Sequence, residues 1–342
     1  MNITCKNRIN IRFDNSKLLL DPKKMDPIAA CIFVSHAHSD HLPTSRKKPM
    51  IPPTTVCSVA TERLFFERMG YHLEQHDSWS NDDFTIKTLP GGHTFDSTVA
   101  EIIDHSTNQT IIYTGDVNVE NRGYLEGFQP KKCDILIIEA TWGDKNYQFP
   151  SFDDQIKQAR NYIQNELDKG NPVALLGYAL GKSQLLNYCL GDLCDTRYSS
   201  KSIWKMEQVH RELGLELFET NEIPNDYQTL ANENGPWLLF HTHTSRKDPV
   251  LQTLKQKHNL KVIGFSGWAK NGYYKIQMGA DASYTISDHS DYSNLIEIIR
   301  KSQASKIYTV FGNSKQLAND LQKEGFNAIP LQEGVSTLDN FF

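Results

Sequence analysis

Apolar residues come in short clusters over the first third of the chain. Residues 9–13 alternate, 17–20 form a brief apolar run closed by Asp21-Pro22, and 31–34 read Cys-Ile-Phe-Val. Alternation marks a strand with one buried face, and an unbroken apolar run marks a strand covered on both faces. Residues 84–89 alternate again and stop at Pro90-Gly91-Gly92. Residues 99–103 and 110–114 predict a hairpin turning at 104–109, 61–69 predict a helix, and 134–138 predict a buried strand that delivers Glu139. The texture changes at Phe149-Pro150. Ser151 as a cap, Asp153 and Asp154 in the first turn and Gly170-Asn171-Pro172 as a stop predict a helix over 151–169. Strands at 173–176, 237–240 and 261–265 with a helix at 181–190 imply a mostly parallel α/β unit. Beyond about residue 284 the pattern gives strand, helix (291–301), strand (306–311) and helix (314–325). Residues 190–260 carry no motif. We therefore expect two domains, one formed by 1–149 and 284–342, the other by 150–283.

Composition narrows the class without naming it. With 342 residues, 39% hydrophobic and 23% charged, the chain fits an ordinary globular protein of one large or two ordinary domains. Residues 1–10 lack the apolar core of a signal peptide, and no run of about 18 apolar residues occurs, so no membrane span is expected. Six cysteines are scattered without a C-x-x-C pair. They read as reduced thiols of a cytoplasmic protein and do not form a zinc site of their own. A net charge of −5 argues against a surface that grips nucleic acid by charge alone. It leaves room for a nuclease, because bound divalent ions add local positive charge.

The chemistry concentrates in His36-Ala37-His38-Ser39-Asp40-His41, directly after the buried strand at 31–34. Four ligating side chains in six residues, on a loop at a strand end, can be aimed at two neighbouring points. Imidazole and carboxylate suit zinc and similar divalent ions. His93 follows a glycine turn in Gly91-Gly92-His93-Thr94, and Asp116 ends Tyr113-Thr114-Gly115-Asp116. Either alone would be ambiguous; in this order they complete a set.

The run SHAHSDH, then GGH, then YTGD, resembles the metallo-β-lactamase superfamily. The resemblance implies an αββα sandwich with an inserted α/β domain, and two metals. His36, His38 and His93 would hold the first metal, Asp40 and His41 the second, and Asp116 would bridge them. Asp21 matches an aspartate that supports the ligands from behind. Two metals of this kind share a hydroxide and clamp an in-line displacement, which places Asp40 among the catalytic residues. Ile138-Glu139-Ala140-Thr141-Trp142-Gly143 and Ser287-Asp288-His289-Ser290-Asp291 resemble signatures of the β-CASP nucleases, including Artemis-like proteins, mRNA 3′-end processing exonucleases and ligase-associated DNA exonucleases. By that likeness Glu139 pairs with His289, which protonates the leaving oxygen. The expected cofactor is Zn2+ at two sites, the second weak or filled by Mn2+; the expected partner is nucleic acid, with protein partners unspecified.

Further residues are candidates for substrate contact. Lys182 and Ser183 follow Gly181 and open a helix, a geometry that favours phosphate. Ser266, Trp268 and Lys270 could meet a phosphate or stack a base, although a buried Trp268 fits equally. His241 and His243 have no third ligand nearby and read as non-ligands. The segment KIYTVFGN departs from the family pattern, since Phe311 stands where many relatives carry a metal-binding histidine. Artemis-type DNA nucleases also lack it, so DNA is favoured over RNA as substrate and exonuclease action on DNA ends is the leading reading. RNA processing, a small-molecule esterase or lactonase, and an inactive nucleic-acid-binding subunit are the alternatives.

Overall fold

The computed structural model describes residues 1–44, 53–223, 230 and 235–331. The chain divides into two compact units: Met1–Asn121 with Leu125–Gln148 and His289–Phe342, and Arg122–Tyr124 with Phe149–Asp288.

The first unit is built on two sheets. One runs in chain order, with Asn2–Cys5, Ile9–Arg12 and Lys17–Leu20 antiparallel and Cys31–Phe33, Thr54–Val56 and Glu74–His76 added in parallel. The other runs Ala328–Pro330, Lys306–Val310, Ile135–Glu139, Thr110–Tyr113, Thr98–Asp104, Phe84–Pro90 and Ser78–Ser80. Alternation along the strands decides the layering. Ile9, Ile11, Leu18, Leu20 and Phe33 of the first sheet meet Phe84, Ile102, Ile111, Tyr113, Ile135 and Ile137 of the second in one core. The opposite residues of the second sheet, Ile112, Leu136 and Ile138, pack on helices Tyr292–Ser302 and Ser314–Lys323. Leu19, Ile32 and Val34 face outward from the first sheet onto Phe65 of helix Val59–Met69. Strand Ile135–Glu139 is buried along its whole length because both of its faces are covered. The result is an αββα sandwich.

The second unit is a six-stranded sheet in the order Asn221–Glu222, Arg197–Ser199, Leu238–Thr242, Val173–Gly177, Lys261–Phe265 and Ala282–Tyr284. Every pairing is parallel, as the alternation of strands and helices implies. Helix Phe152–Asp168 starts where the cap signal sits, with Ser151 accepting from the Asp154 N–H. Helix Lys201–Glu212 and helix Pro249–His258 fall in the stretch without motifs. On one face Leu176, Leu239 and Val262 pack with Trp237 and Leu254.

His243 is half-buried in this unit, 2.8 Å from the Tyr274 hydroxyl and 3.2 Å from the Phe265 carbonyl. Burial pushes its pKa down to about 4. The folded unit therefore disfavours the imidazolium, and the unfolded chain takes the proton first. The stability so gained is complete above about pH 6.5 and is lost as the pH falls through about 4, at up to about 1.4 kcal/mol per pH unit. Chemical unfolding of the wild type should weaken over this window more steeply than that of His243→Gln. The His243 ring resonances should titrate near pH 4 by NMR; titration near pH 6.5 contradicts the assignment.

Candidate metal centre

The histidine loop begins one residue past strand Cys31–Phe33, and its entry is fixed by hydrogen bonds. The Val34 N–H reaches the Val56 carbonyl, and the Ser35 N–H and Oγ both donate to Asp21, at 2.7 Å each. The Ala37 N–H donates to Asp96 Oδ2 at 2.7 Å. Asp96 also takes the Thr94 hydroxyl, so it joins the first histidine loop to the loop that carries His93. Two motif glycines are steric requirements. Gly92 has φ 71°, and a Cβ there would lie 2.3 Å from the Asn118 carbonyl oxygen. Gly115 has φ 53°, and a Cβ there would lie 2.5 Å from the Ser35 Cβ. The approach at Gly115 brings Asp116 up to the histidine loop, while that at Gly92 seats the His93 turn against residues 118–128.

The ring nitrogens converge. His36 Nε2 is 3.0 Å and His93 Nε2 3.1 Å from His38 Nδ1. Asp116 Oδ2 lies 3.6 Å from His36 Nε2, 3.8 Å from His93 Nε2 and 3.3 Å from His41 Nε2. A tetrahedral zinc with bonds of about 2.0–2.1 Å sets its ligand atoms about 3.3 Å apart. His36, His38, His93 and Asp116 thus fit one divalent ion. Asp116 Oδ2 is common to His36, His93 and His41, as a bridging carboxylate would be. Asp40 stands at the rim, its side chain 69% exposed, with Oδ2 3.5 Å from His41 Nε2. Phe311 presents its ring to His41 at 5.6 Å between centroids and offers no lone pair.

Hydrogen bonds at the far ring nitrogens set the orientation of three of these imidazoles. Ser35 Oγ is 2.9 Å from His36 Nδ1, and Asp21 Oδ2 is 2.7 Å from His41 Nδ1. His289 Nδ1 lies 2.9 and 3.0 Å from the two oxygens of Glu139, which leaves its Nε2 4.0 Å from Asp116 Oδ2. Glu139 is fully buried and also accepts from the Val117 N–H at 2.8 Å. The electrostatics follow from the crowding. Burial holds His36 well below the ordinary histidine range, and the neighbouring imidazoles add to the effect. Burial opposes charge on His41 as well, yet the Asp116 and Asp21 carboxylates outweigh it and raise that pKa well above the ordinary value. Burial would lift Asp116, but His41 and His289 hold it well below the carboxylate range. A metal competes directly for the proton that His41 otherwise keeps.

The other expected site residues lie in the second unit. Lys182 is 1% exposed, and its ammonium sits 2.7 Å from Asp288 Oδ1 and 2.9 Å from the Ile286 carbonyl. The buried Arg122 shares the same carboxylate oxygen at 3.2 Å. Ser183 is also buried, and its hydroxyl donates to the Tyr178 carbonyl. At the two residues where a phosphate contact is expected, the Lys182 ammonium thus faces Asp288 and the Ser183 hydroxyl faces a main-chain carbonyl. Ser266 is buried and caps a 3-10 turn by accepting from the Trp268 N–H. Trp268 is 49% exposed, against the buried alternative, and Lys270 is exposed too. Trp268 lines a cavity of about 340 Å³ with Tyr178, Tyr273, Tyr274 and His243. His243 bonds to Tyr274 and Phe265, and His241 Nδ1 is 2.9 Å from the Thr242 carbonyl.

Sequence reasoning missed Tyr113, Asp96 and Arg8. Tyr113 stands inside the quoted YTGD run, and its hydroxyl donates to Asp21 at 2.7 Å. Asp96 had a weaker signal, three residues past His93. Arg8 had none.

Comparison with known proteins places this arrangement. No family model matches the chain. A protein of Opitutus terrae named "Probable DNA ligase" is 26% identical over 309 residues, covering 88% of this chain; the chain spans only 28% of that protein's length. "Probable RNase MJ4" of Methanocaldococcus jannaschii is 24% identical and is covered over 94% of both chains. An "RNase J-like protein" of the same organism is 22% identical, over 82% of this chain and 80% of its own. Among solved structures, a protein of unknown function from Enterococcus faecalis V583 shares the fold, with a TM-score of 0.59 at 13% identity over 97% of this chain and 96% of that one. Relatives of these names, an αββα sandwich and this order of motifs make the chain similar to the β-CASP nucleases of the metallo-β-lactamase fold.

Proposed function

We propose that the protein is a zinc-dependent nuclease that hydrolyses phosphodiester bonds, acting as an exonuclease on DNA ends. The observation that carries this reading is the Glu139–His289 pair, an imidazole gripped at Nδ1 by a buried carboxylate with its Nε2 facing the Asp116 cluster. A small-molecule esterase or lactonase of this fold has no need of such a proton donor. The name of the Opitutus relative and the replacement of a ligating histidine by Phe311 favour DNA. The names of the two Methanocaldococcus relatives favour RNA, which is the second reading.

His36, His38, His93 and Asp116 would hold the first metal, and Asp40, His41 and Asp116 the second. Bound divalent ions supply Lewis acidity and lower the pKa of a coordinated water towards neutrality. The chain's own residues do the rest. His289 delivers the proton at Nε2 to the oxygen that leaves as the P–O bond breaks, while the oxygen of water joins phosphorus. Glu139 fixes the ring and stabilises the imidazolium before transfer. A general acid of this kind contributes roughly 10²–10⁴-fold. The aromatic cavity around Trp268 suits the stacking of an unpaired base, with the exposed Lys270 nearby in sequence for the backbone. We read Asp288, gripped by Lys182 and Arg122, as the anchor that positions the segment leading into His289. All six cysteines are free, which fits the cytoplasm. Among the described residues no helix is long and apolar enough to cross a membrane.

End-labelled single-stranded DNA and RNA of one sequence, incubated with the zinc protein with and without manganese, test the reading. Stepwise shortening of DNA with RNA spared is the expected result; preferential cutting of RNA selects the second reading. His38→Ala should abolish cleavage and lose metal by elemental analysis. His289→Ala should slow turnover by roughly 10²–10⁴-fold with its metal content unchanged, and loss of metal in that variant would make His289 a ligand instead. Trp268→Ala should weaken single-strand binding by about 1–3 kcal/mol in fluorescence anisotropy without changing metal content; unaltered affinity removes the stacking role.

A further inference from the structure

Three non-glycine residues in the left-handed backbone region meet at one corner of the centre. They are Arg8 at φ 69°, Asp21 at φ 46° and Phe311 at φ 61°. For arginine and phenylalanine this conformation is disfavoured and persists only where the surroundings over-determine it. Here the surroundings are one another. Asp21 holds His41 by its Nδ1, the His41 ring stands edge-on to Phe311, and the Arg8 guanidinium lies over the Phe311 ring, 4.6 Å from its centroid. Arg8 Nη2 is 3.6 Å from Asp40 Oδ2 and also donates to the Asp40 main-chain oxygen. That same carboxylate oxygen is the one beside His41 Nε2. The Arg8 side chain is only 12% exposed, and its Nε is buried without a hydrogen-bond partner.

We infer that Arg8 is the resident cation of the second half of the centre. Its guanidinium holds Asp40, on the carboxylate that a second metal would need, so the protein binds one divalent ion tightly and a second only weakly. This rests on the reading of His36, His38, His93 and Asp116 as ligands of the first. The argument is one of charge and donors. Guanidinium keeps its proton at any working pH and cannot ligate. An incoming divalent ion must displace it from Asp40 or share a corner with a like charge. Phe311 supplies no lone pair to compensate, and its face adds a cation–π attraction that retains Arg8 where it is. Phe311 is therefore a platform for Arg8 as well as a missing ligand. The exchange explains why an aromatic ring is held at a strained backbone position.

The test is a metal titration of the whole, chelator-stripped chain with zinc, and separately with manganese, read by competition with a chromophoric chelator and checked by elemental analysis. The wild type should take up one tight equivalent and a second far weaker one. Arg8→Met should leave the first equivalent unchanged and tighten the second by about tenfold or more, because a like charge has been removed. Arg8→Gln should behave in the same way, and Arg8→Lys should keep the second site weak. Adding Phe311→His to Arg8→Met should tighten the second equivalent further, since histidine tolerates the left-handed region better than phenylalanine. Two tight equivalents in the wild type overturn the inference. So does a second-site affinity that is unchanged or weaker in both Arg8→Met and Arg8→Gln while the first equivalent stays intact. No tight equivalent in the wild type overturns the metal-centre reading itself.

Discussion

Asp21 is fully buried and accepts from the Ser35 N–H and Oγ, the Tyr113 hydroxyl and His41 Nδ1. Ser35 and His41 flank the histidine loop beyond the first sheet; Tyr113 ends a strand of the second. One carboxylate therefore pins together the two sheets and the loop that delivers the ligands. A buried charge is tolerable only when its lone pairs are filled, and this one is filled from both sides. Removing it would leave a backbone N–H, two hydroxyls and an imidazole without their acceptor in a dry interior. The positions of His36, His38 and Asp116 all depend on that arrangement.

Around this anchor the protein has assembled lone pairs that repel one another. Ring nitrogens 3.0–3.1 Å apart are separated by little more than a shared proton or a metal ion. The folding core carries the cost, through strands such as Ile135–Glu139 that are covered on both faces and cannot relax. Rigid elements hold the ligands in a geometry the ligands alone would not adopt, and this is what makes the cluster ready for a cation.

Much of this was legible in the sequence because the chemistry is local. His36, His38 and His41 share one loop, and the glycines before His93 and Asp116 announce turns whose tightness the structure confirms. Alternation gave the two-faced strands, and Ser151 gave the start of its helix. Short edge strands such as Arg197–Ser199 and Ala328–Pro330 were not legible, since three residues carry no periodicity and their order comes from pairing with neighbours. The surroundings of Lys182 were not legible for a related reason. A lysine after a glycine at a helix start looks the same whether its charge faces solvent or a buried aspartate 106 positions later in the chain. Arg8 was invisible because its meaning depends on Phe311, at the far end of the sequence.

The grip of Lys182 and Arg122 on Asp288 bears on how this sequence can vary. Asp288 ends the second unit, and the next residue along the chain is His289. A single peptide bond thus separates a residue locked in one folded unit from His289, which belongs to the other. Positions 122 and 182 are not free to drift. A neutral side chain at either would leave the buried Asp288 carboxylate with one cation fewer, one residue from His289. Such a change would act on the backbone entering His289 without altering any side chain of the histidine cluster.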